Sequence, residues 1–266
     1  MSKNKITLFS ILIVIIGISA IALLGVAQTQ QNNNKKEIKV RNIKQEKDKS
    51  EPTVIEEGVM TAKQKKHSKI FKGYKDKAKI KNLIAQKGNI EINHPIGDIG
   101  LPASFSLNDY LQELFCDADA VVIGTVESKA SQINEDGTFT FTDYEFNAEE
   151  VLKNNNLAPI TISNNITVTR TGGAIKLNGH IARAIDNRQI PLITDEHYLL
   201  FLKFIPDTGG YSGLGSSRND DSFQIIGNRL IQQVSKNPLP LGARNKVEVN
   251  GFMAEVRSAA SGTCIN

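Results

Sequence analysis

Residues 139–151 read FTFTDYEFNAEEV, an alternation of large apolar and polar side chains long enough for an extended strand. Phe139, Phe141 and Asp143 share one parity, whereas Tyr144, Phe146 and Ala148 share the other, which predicts a bulge switching faces near Asp143. Upstream, Ala120–Val126 (AVVIGTV) is a β-branched apolar run. Between the two lies Asn134-Glu135-Asp136-Gly137, a hairpin signal with glycine where a positive φ is needed. Downstream, Ile160–Thr169 (ITISNNITVT) alternates again and stops at Gly172-Gly173. Ala174–Ile185 and Tyr198–Phe204 (YLLFLKF) are further strands, and Phe223–Ile226 and Leu230–Val234 flank a turn at Gly227-Asn228. A short helix capped by Ser106 runs through Leu107, Tyr110, Leu111, Leu114 and Phe115, and a last helix starts near Asn250 and passes Phe252, Val256 and Ala259. Residues 100–266 are therefore expected to be mainly β with flanking helices, as a sandwich or a small closed barrel, since closure removes exposed edges.

The order CDADAVVIGTV, TDYEFNAEEVLK, ITVT and EHYLLFLKF, spanning Cys116 to Phe204, resembles the netrin-type module and the inhibitory domain of tissue inhibitors of metalloproteinases. That resemblance implies a barrel of the oligonucleotide/oligosaccharide-binding (OB) type. The inhibitors of that group present an N-terminal cysteine whose amine and carbonyl bind a protease zinc. Cys116 stands at the comparable place before the first strand, but it lies inside the chain and is followed by Asp117. The resemblance thus carries the barrel more than the activity.

Residues 6–27 (ITLFSILIVIIGISAIALLGVA) hold 22 uncharged residues behind Lys3 and Lys5. About 20 helical residues cross a bilayer core, and a signal-peptide apolar region spans about 7–15. The length favours an uncleaved anchor, while Gly25-Val26-Ala27 before Gln28 offers a cleavage site, so the chain is expected to be either a single-pass membrane protein with its bulk outside the cytoplasm or a secreted one. Residues 28–60 are polar and read as a disordered stalk. Residues 61–88 read as one basic amphipathic helix. Thr61 and Gln64 form its capping box, Ile70, Phe71, Tyr74, Ala78, Leu83 and Ile84 its apolar positions, and Gly88 its stop; Gly73 is a point of interruption. That helix either packs its apolar stripe on the domain with its lysines in water or lies on anionic headgroups. Between Lys35 and Lys87 there are 17 Lys/Arg against 7 Asp/Glu, whereas from Gly100 onward there are 13 against 19, so the basic charge belongs to the linker. Export and the lack of an aromatic platform argue against a nucleic-acid partner.

Cys116 and Cys264 are the two cysteines, and outside the cytoplasm such a pair can close a disulfide. His67, His94, His180 and His197 are scattered, without metal-ligand spacing, and no metal or cofactor is expected. Gly210-Tyr211-Ser212-Gly213-Leu214 has leucine where a nucleophile elbow needs glycine, and residues 209–217 read as a mobile glycine-rich loop. Glu149 and Glu150 are neighbours on a strand and point to opposite faces, so they do not form one acid/base pair. Asp119, just before the apolar strand, is expected either to cap the preceding helix turn or to fix the loop. With no catalytic residue assigned, the expected function is a non-enzymatic extracytoplasmic module that binds a partner protein or glycan. A secreted peptidase inhibitor and a hydrolase with an unread site are the alternatives.

Overall fold

A computed structural model describes residues 55–56, 58–71, 78–93, 107–186, 189, 191–214, 222–227, 229–232, 247–262 and 264, all within the compact unit Pro52–Asn266. The apolar run 6–27, most of the stalk, Gly73, Tyr74 and Ser106 lie outside the described residues. Among the described residues, no helix is long and apolar enough to cross a membrane.

The unit is mainly β, with two sheets and flanking helices. In chain order it comprises β1 (Ile55–Glu56), α1 (Ala62–Ile70), α2 (Ile80–Lys87), β2 (Ile90–Asn93), α3 (Leu107–Asp117), β3 (Ala120–Ile133) and β4 (Thr140–Lys153). There follow β5 (Asn165–Thr171), β6 (Gly173–Leu177), β7 (His180–Ile185), β8 (His197–Ile205), β9 (Gly210–Gly213), β10 (Ser222–Ile226), β11 (Arg229–Gln232), β12 (Val247–Glu248) and α4 (Val249–Ala260). The larger sheet is ordered β12-β11-β10-β8-β3-β4-β5-β9, and β9 also pairs with β8. Hydrogen bonding thus makes a circuit, β3-β4-β5-β9-β8 and back to β3, in which only β5 and β9 are parallel. The smaller sheet, β1-β6-β7-β2, joins the β6–β7 hairpin, inserted between β5 and β8 in sequence, to β1 and β2, which precede β3.

The run AVVI is buried on both faces because it separates two cores. Ala120 and Val122 face a cluster with Tyr144, Phe146, Val168, Leu200 and Tyr211. Val121 and Ile123 face the other way, onto Leu114 and Phe115 of α3, Phe201 of β8, Phe223 of β10 and Phe252 and Val256 of α4. A third cluster packs Ile80 and Ile84, one helical turn apart on α2, against Ile133, Ile175 and Ala182. Lys153 donates to the carbonyls of Phe115 and Ala118, and Lys203 to that of Asp117, so two strand lysines satisfy the orphan carbonyls ending α3. Burial lowers the Lys153 pKa. Asp119 accepts from the Phe204 amide and the Lys203 ammonium, fixing the loop as expected.

The hairpin at Asn134–Gly137 forms, with Gly137 at φ +72° and the Asn134 side chain accepting from the Thr138 and Phe139 amides. Several readings change, including the strand expected from Ile160, which begins at Asn165. The parity switch in β4 is not a bulge at Asp143: the register shifts fall at Val121/Val122, Ile123/Gly124 and Val126/Ser128, and β4 changes parity because both its faces are covered. Phe141 stacks on Phe71 on one side, while Tyr144 and Phe146 fill the core on the other. The expected helix over 61–88 is two helices, and only part of its apolar stripe docks: Phe71 stacks on Phe141 and Ile84 packs in the third cluster, whereas α1 itself buries His67 and Ser68 and leaves Ile70 exposed. The stalk is not wholly solvated, since Ile55–Glu56 pairs in parallel with β6. Lastly, the glycine-rich stretch read as a mobile loop supplies β9, whose Tyr211 is 1% exposed in the core.

Gly124 sits at a bulge where an added Cβ would lie 1.9 Å from the Asn147 carbonyl oxygen, so the turn of the coiled β3–β4 ribbon requires glycine there.

Cys116, in the last turn of α3, is disulfide-bonded to Cys264 beyond α4, with Cα atoms 5.4 Å apart at a sequence separation of 148. In the chain-entropy model a loop of that length contributes up to about 5 kcal/mol. Reduction, or Cys116→Ser with Cys264→Ser, is expected to lower the urea midpoint while circular dichroism keeps the β signature, because Phe252 and Val256 still pack. An unchanged midpoint would show that the link adds no stability.

Candidate functional site

Two polar constellations lie on the outward parity of β4 and β5. The first is buried. The carboxylate of Asp143 on β4 meets Nδ1 of His67 on α1 at 3.0 and 3.1 Å and accepts from the Thr169 hydroxyl of β5 at 2.6 Å. An ionised carboxylate only accepts, so Nδ1 carries the proton of this bond. His67 is fully buried and Asp143 is 5% exposed. One residue pair further along, Lys63 donates to the Thr167 hydroxyl, which donates to Glu145. Nε2 of His67 is buried with no hydrogen bond among the described residues and faces Gly210, where an added Cβ would come within 3.4 Å of it. This network clamps α1 across β4, β5 and β9. Nothing in it aligns a nucleophile with the imidazole, so its chemistry is that of a latch.

The second constellation is exposed and continues the same rows beyond the N-terminal turn of α1. Glu127 accepts from Asn147 at 3.0 Å and from Asn165 at 2.6 Å. Beside it, Glu149 accepts from the Thr125 hydroxyl at 2.7 Å and lies 3.2 Å from Nε2 of His197. Glu150 points elsewhere, to Arg257 of α4, so the two adjacent glutamates serve opposite faces as their spacing predicts. The amides of Asn147, then Asn165, hold the Glu127 carboxyl below its usual range, against a small opposing effect of burial. Carboxylates and side-chain amides held in place by one another form a preset array of donors and acceptors, the kind of surface that reads hydroxyl-rich or peptide ligands.

Cys116 and Cys264 are brought together, but beside α3 and α4, on the other face of the larger sheet. His180 is at the exposed start of β7, His197 opens β8, and His94 lies outside the described residues. Among the described residues, no group of three or more His, Cys, Asp or Glu is arranged to hold a metal ion. Sequence reading missed the His67–Asp143 pair, whose members stand 76 residues apart. The signal that could have found it is the lone histidine in a lysine-rich helix facing the lone aspartate of a threonine-rich strand pair.

His67→Ala leaves the buried Asp143 carboxylate with the Thr169 hydroxyl but without its imidazole partner and is expected to cost about 3–5 kcal/mol by urea denaturation. Asp143→Asn added to it should restore part of that loss; simple additivity of the two would show that the residues are not coupled. For Glu127, the depressed pKa means a contribution present above the usual carboxylate value and lost as pH falls through the depressed one. Carboxyl NMR titration should place Glu127 below 4.5, its usual value, with Asn147→Ala raising it more than Asn165→Ala does.

No family model, curated protein or solved structure matches this chain.

Proposed function

We propose that this chain is a non-enzymatic extracytoplasmic module, held at the membrane or released from it by residues 6–27, whose OB-type barrel binds a partner protein or glycan through the Glu127–Asn147–Asn165 and Glu149–His197 face. The observation that carries the placement is the Cys116–Cys264 disulfide, because such bonds persist where the compartment is oxidising. It agrees with the uncharged run behind Lys3 and Lys5. The five-stranded circuit with its single parallel pair supports the OB-type reading and the netrin-type resemblance. The ligand face rests on the side-chain array that β4 and β5 present beyond α1.

A peptidase inhibitor of the resembled kind needs a free amine at Cys116. That would sever the end of α3 and remove α1, whose His67 is packed against β4. The binding-module reading keeps both.

Two measurements test the proposal. The mature N-terminus and intact mass, taken from membrane and medium fractions, should show an oxidised chain beginning at Met1 or near Gln28. A reduced chain confined to the cytosol overturns the placement. For the face, retention of the full chain on the cell's own surface polysaccharide and surface-protein fractions should drop at least tenfold in an Asn147→Ala/Asn165→Ala/Glu149→Ala variant with an unchanged melting temperature. Equal retention overturns the assignment.

A further inference from the structure

The face proposed for the ligand is the open end of a longer row. On the outward side of β4 and β5, three facing pairs follow one another: Asn147 with Asn165, Glu145 with Thr167, and Asp143 with Thr169. Asn165 is exposed and Asn147 partly so, whereas the other two pairs lie under α1, where Asp143 and Thr167 are 5% exposed and Thr169 is closed off. Every residue of the row carries a carboxylate, an amide or a hydroxyl, so its covered part has the hydrogen-bonding chemistry of its open part. Helix α1 is thus seated on surface of the ligand-reading kind rather than on the core.

The contact is polar on both of its sides. The side chains that α1 buries are those of His67 and Ser68, and Ile70 is exposed. Its clamps are hydrogen bonds: Lys63 to Thr167, Lys66 to the Asp207 carbonyl, and His67 with Asp143 and Thr169. Lifting α1 uncovers groups that water solvates, whereas Tyr144, Phe146 and Val168 on the same strands point into the core and stay covered. Water also supplies Nε2 of His67 with the hydrogen bond it does not make among the described residues. The apolar hold sits just past the C-terminal end of the helix. There Phe71 stacks on Phe141 with ring centroids 5.9 Å apart, Asn134 donates to the Phe71 carbonyl, and the Glu135 amide donates to the Ser68 carbonyl. Upstream of α1 the fastening is β1, which pairs with β6 through two residues. The helix therefore has a firm end at Phe71 and a lightly held one at Thr61.

We infer that α1 is a releasable cover, an autoinhibitory contact that hides the Glu145–Thr167 and Asp143–Thr169 pairs and lifts about Phe71 to expose them while the strand circuit stays closed. This rests on the proposed binding face. A ligand that runs along β4 and β5 past Asn147 and Asn165 binds the lifted state alone, so its apparent affinity scales with the fraction lifted. Off the sheet, a nine-residue helix does not persist in water, and its amides exchange with solvent. Hydrogen exchange read by mass spectrometry, on the full chain in neutral detergent with urea below the unfolding transition, tests the lifting. The α1 amides should exchange through an opening that leaves β4 and β5 protected. Exchange of α1 only together with β4 and β5 overturns the inference. Lys63→Ala with Lys66→Ala removes two clamps and leaves Glu127, Asn147, Glu149, Asn165 and His197 in place. It should speed α1 exchange by about tenfold and raise retention on the surface-polysaccharide or surface-protein fraction in proportion. Lys65→Ala with Lys69→Ala, at exposed positions of the same helix, removes the same charge and should match the unaltered chain in both readings. Faster exchange without stronger retention, or an equal gain in the Lys65→Ala/Lys69→Ala chain, overturns the cover and leaves the binding face standing. Retention of none of these chains on either fraction overturns both.

Discussion

Strand β9 is four residues long, yet it bonds β5 on one side and β8 on the other, and that double pairing turns an open sheet into a circuit. Such a short segment gains little from local propensity, since two of its four residues are glycine. What holds it is Tyr211, whose ring is buried against Phe204 and whose hydroxyl bonds the Ala158 carbonyl. The remaining elements are placed relative to this closure. β3 and β4 must coil to let β5 and β8 meet β9, and the three register shifts between them, with Gly124 under the Asn147 carbonyl, supply that coiling.

Docking of α1 follows a different rule. The outward residues of β4 and β5 beneath it are Asp143, Glu145, Thr167 and Thr169, and an apolar helix stripe laid there would leave them desolvated and unpaired. The helix instead offers Lys63 and His67, one turn apart, and each finds a partner. A buried pair of this kind adds little net energy over an apolar contact, because desolvation offsets the attraction. Its directionality fixes register: a one-residue slip of α1 would remove His67 from both Asp143 and Thr169. The capping box at Thr61 and Gln64 starts the helix at the residue this register requires.

The parts legible in the sequence are those where local chemistry and final structure agree. AVVIGTV could only be a buried strand, Asn134–Gly137 only a tight turn, and Gly88, at φ +72°, a helix stop. Non-local arrangements were hidden. Phe141 and Phe146 fall on different parities because Phe71 waits on the outer side of β4, which no local pattern reveals. The Ile160–Ser163 segment alternates like a strand, yet it folds as a bonded loop because Asn154 takes the Ile160 backbone before β5 begins. For the site, Glu149 and Glu150 were placed on opposite faces by spacing alone. The Glu127–Asn147–Asn165 array needed the β3–β4–β5 register to bring its members together.

Which part of the outer wall stays open follows from what covers the rest. α3 and α4 pack over β3, β8 and β10, fastened by Lys153 and Lys203 at the end of α3 and by the Cys116–Cys264 bond. α1 covers β4 and β5 from Phe141 to Glu145 and from Thr167 to Thr169. Continuing along the same outward rows past α1, the next residues are Asn147 and Glu149 on β4 and Asn165 on β5. These are polar, paired among themselves and with Glu127, and face water beside His197. The sheet is thus covered on either side by helices, with hydrogen-bonding groups held in place in the gap between them. The latch that seats α1 therefore also sets one border of that gap, so loosening His67 from Asp143 shifts the border before it opens the strand circuit.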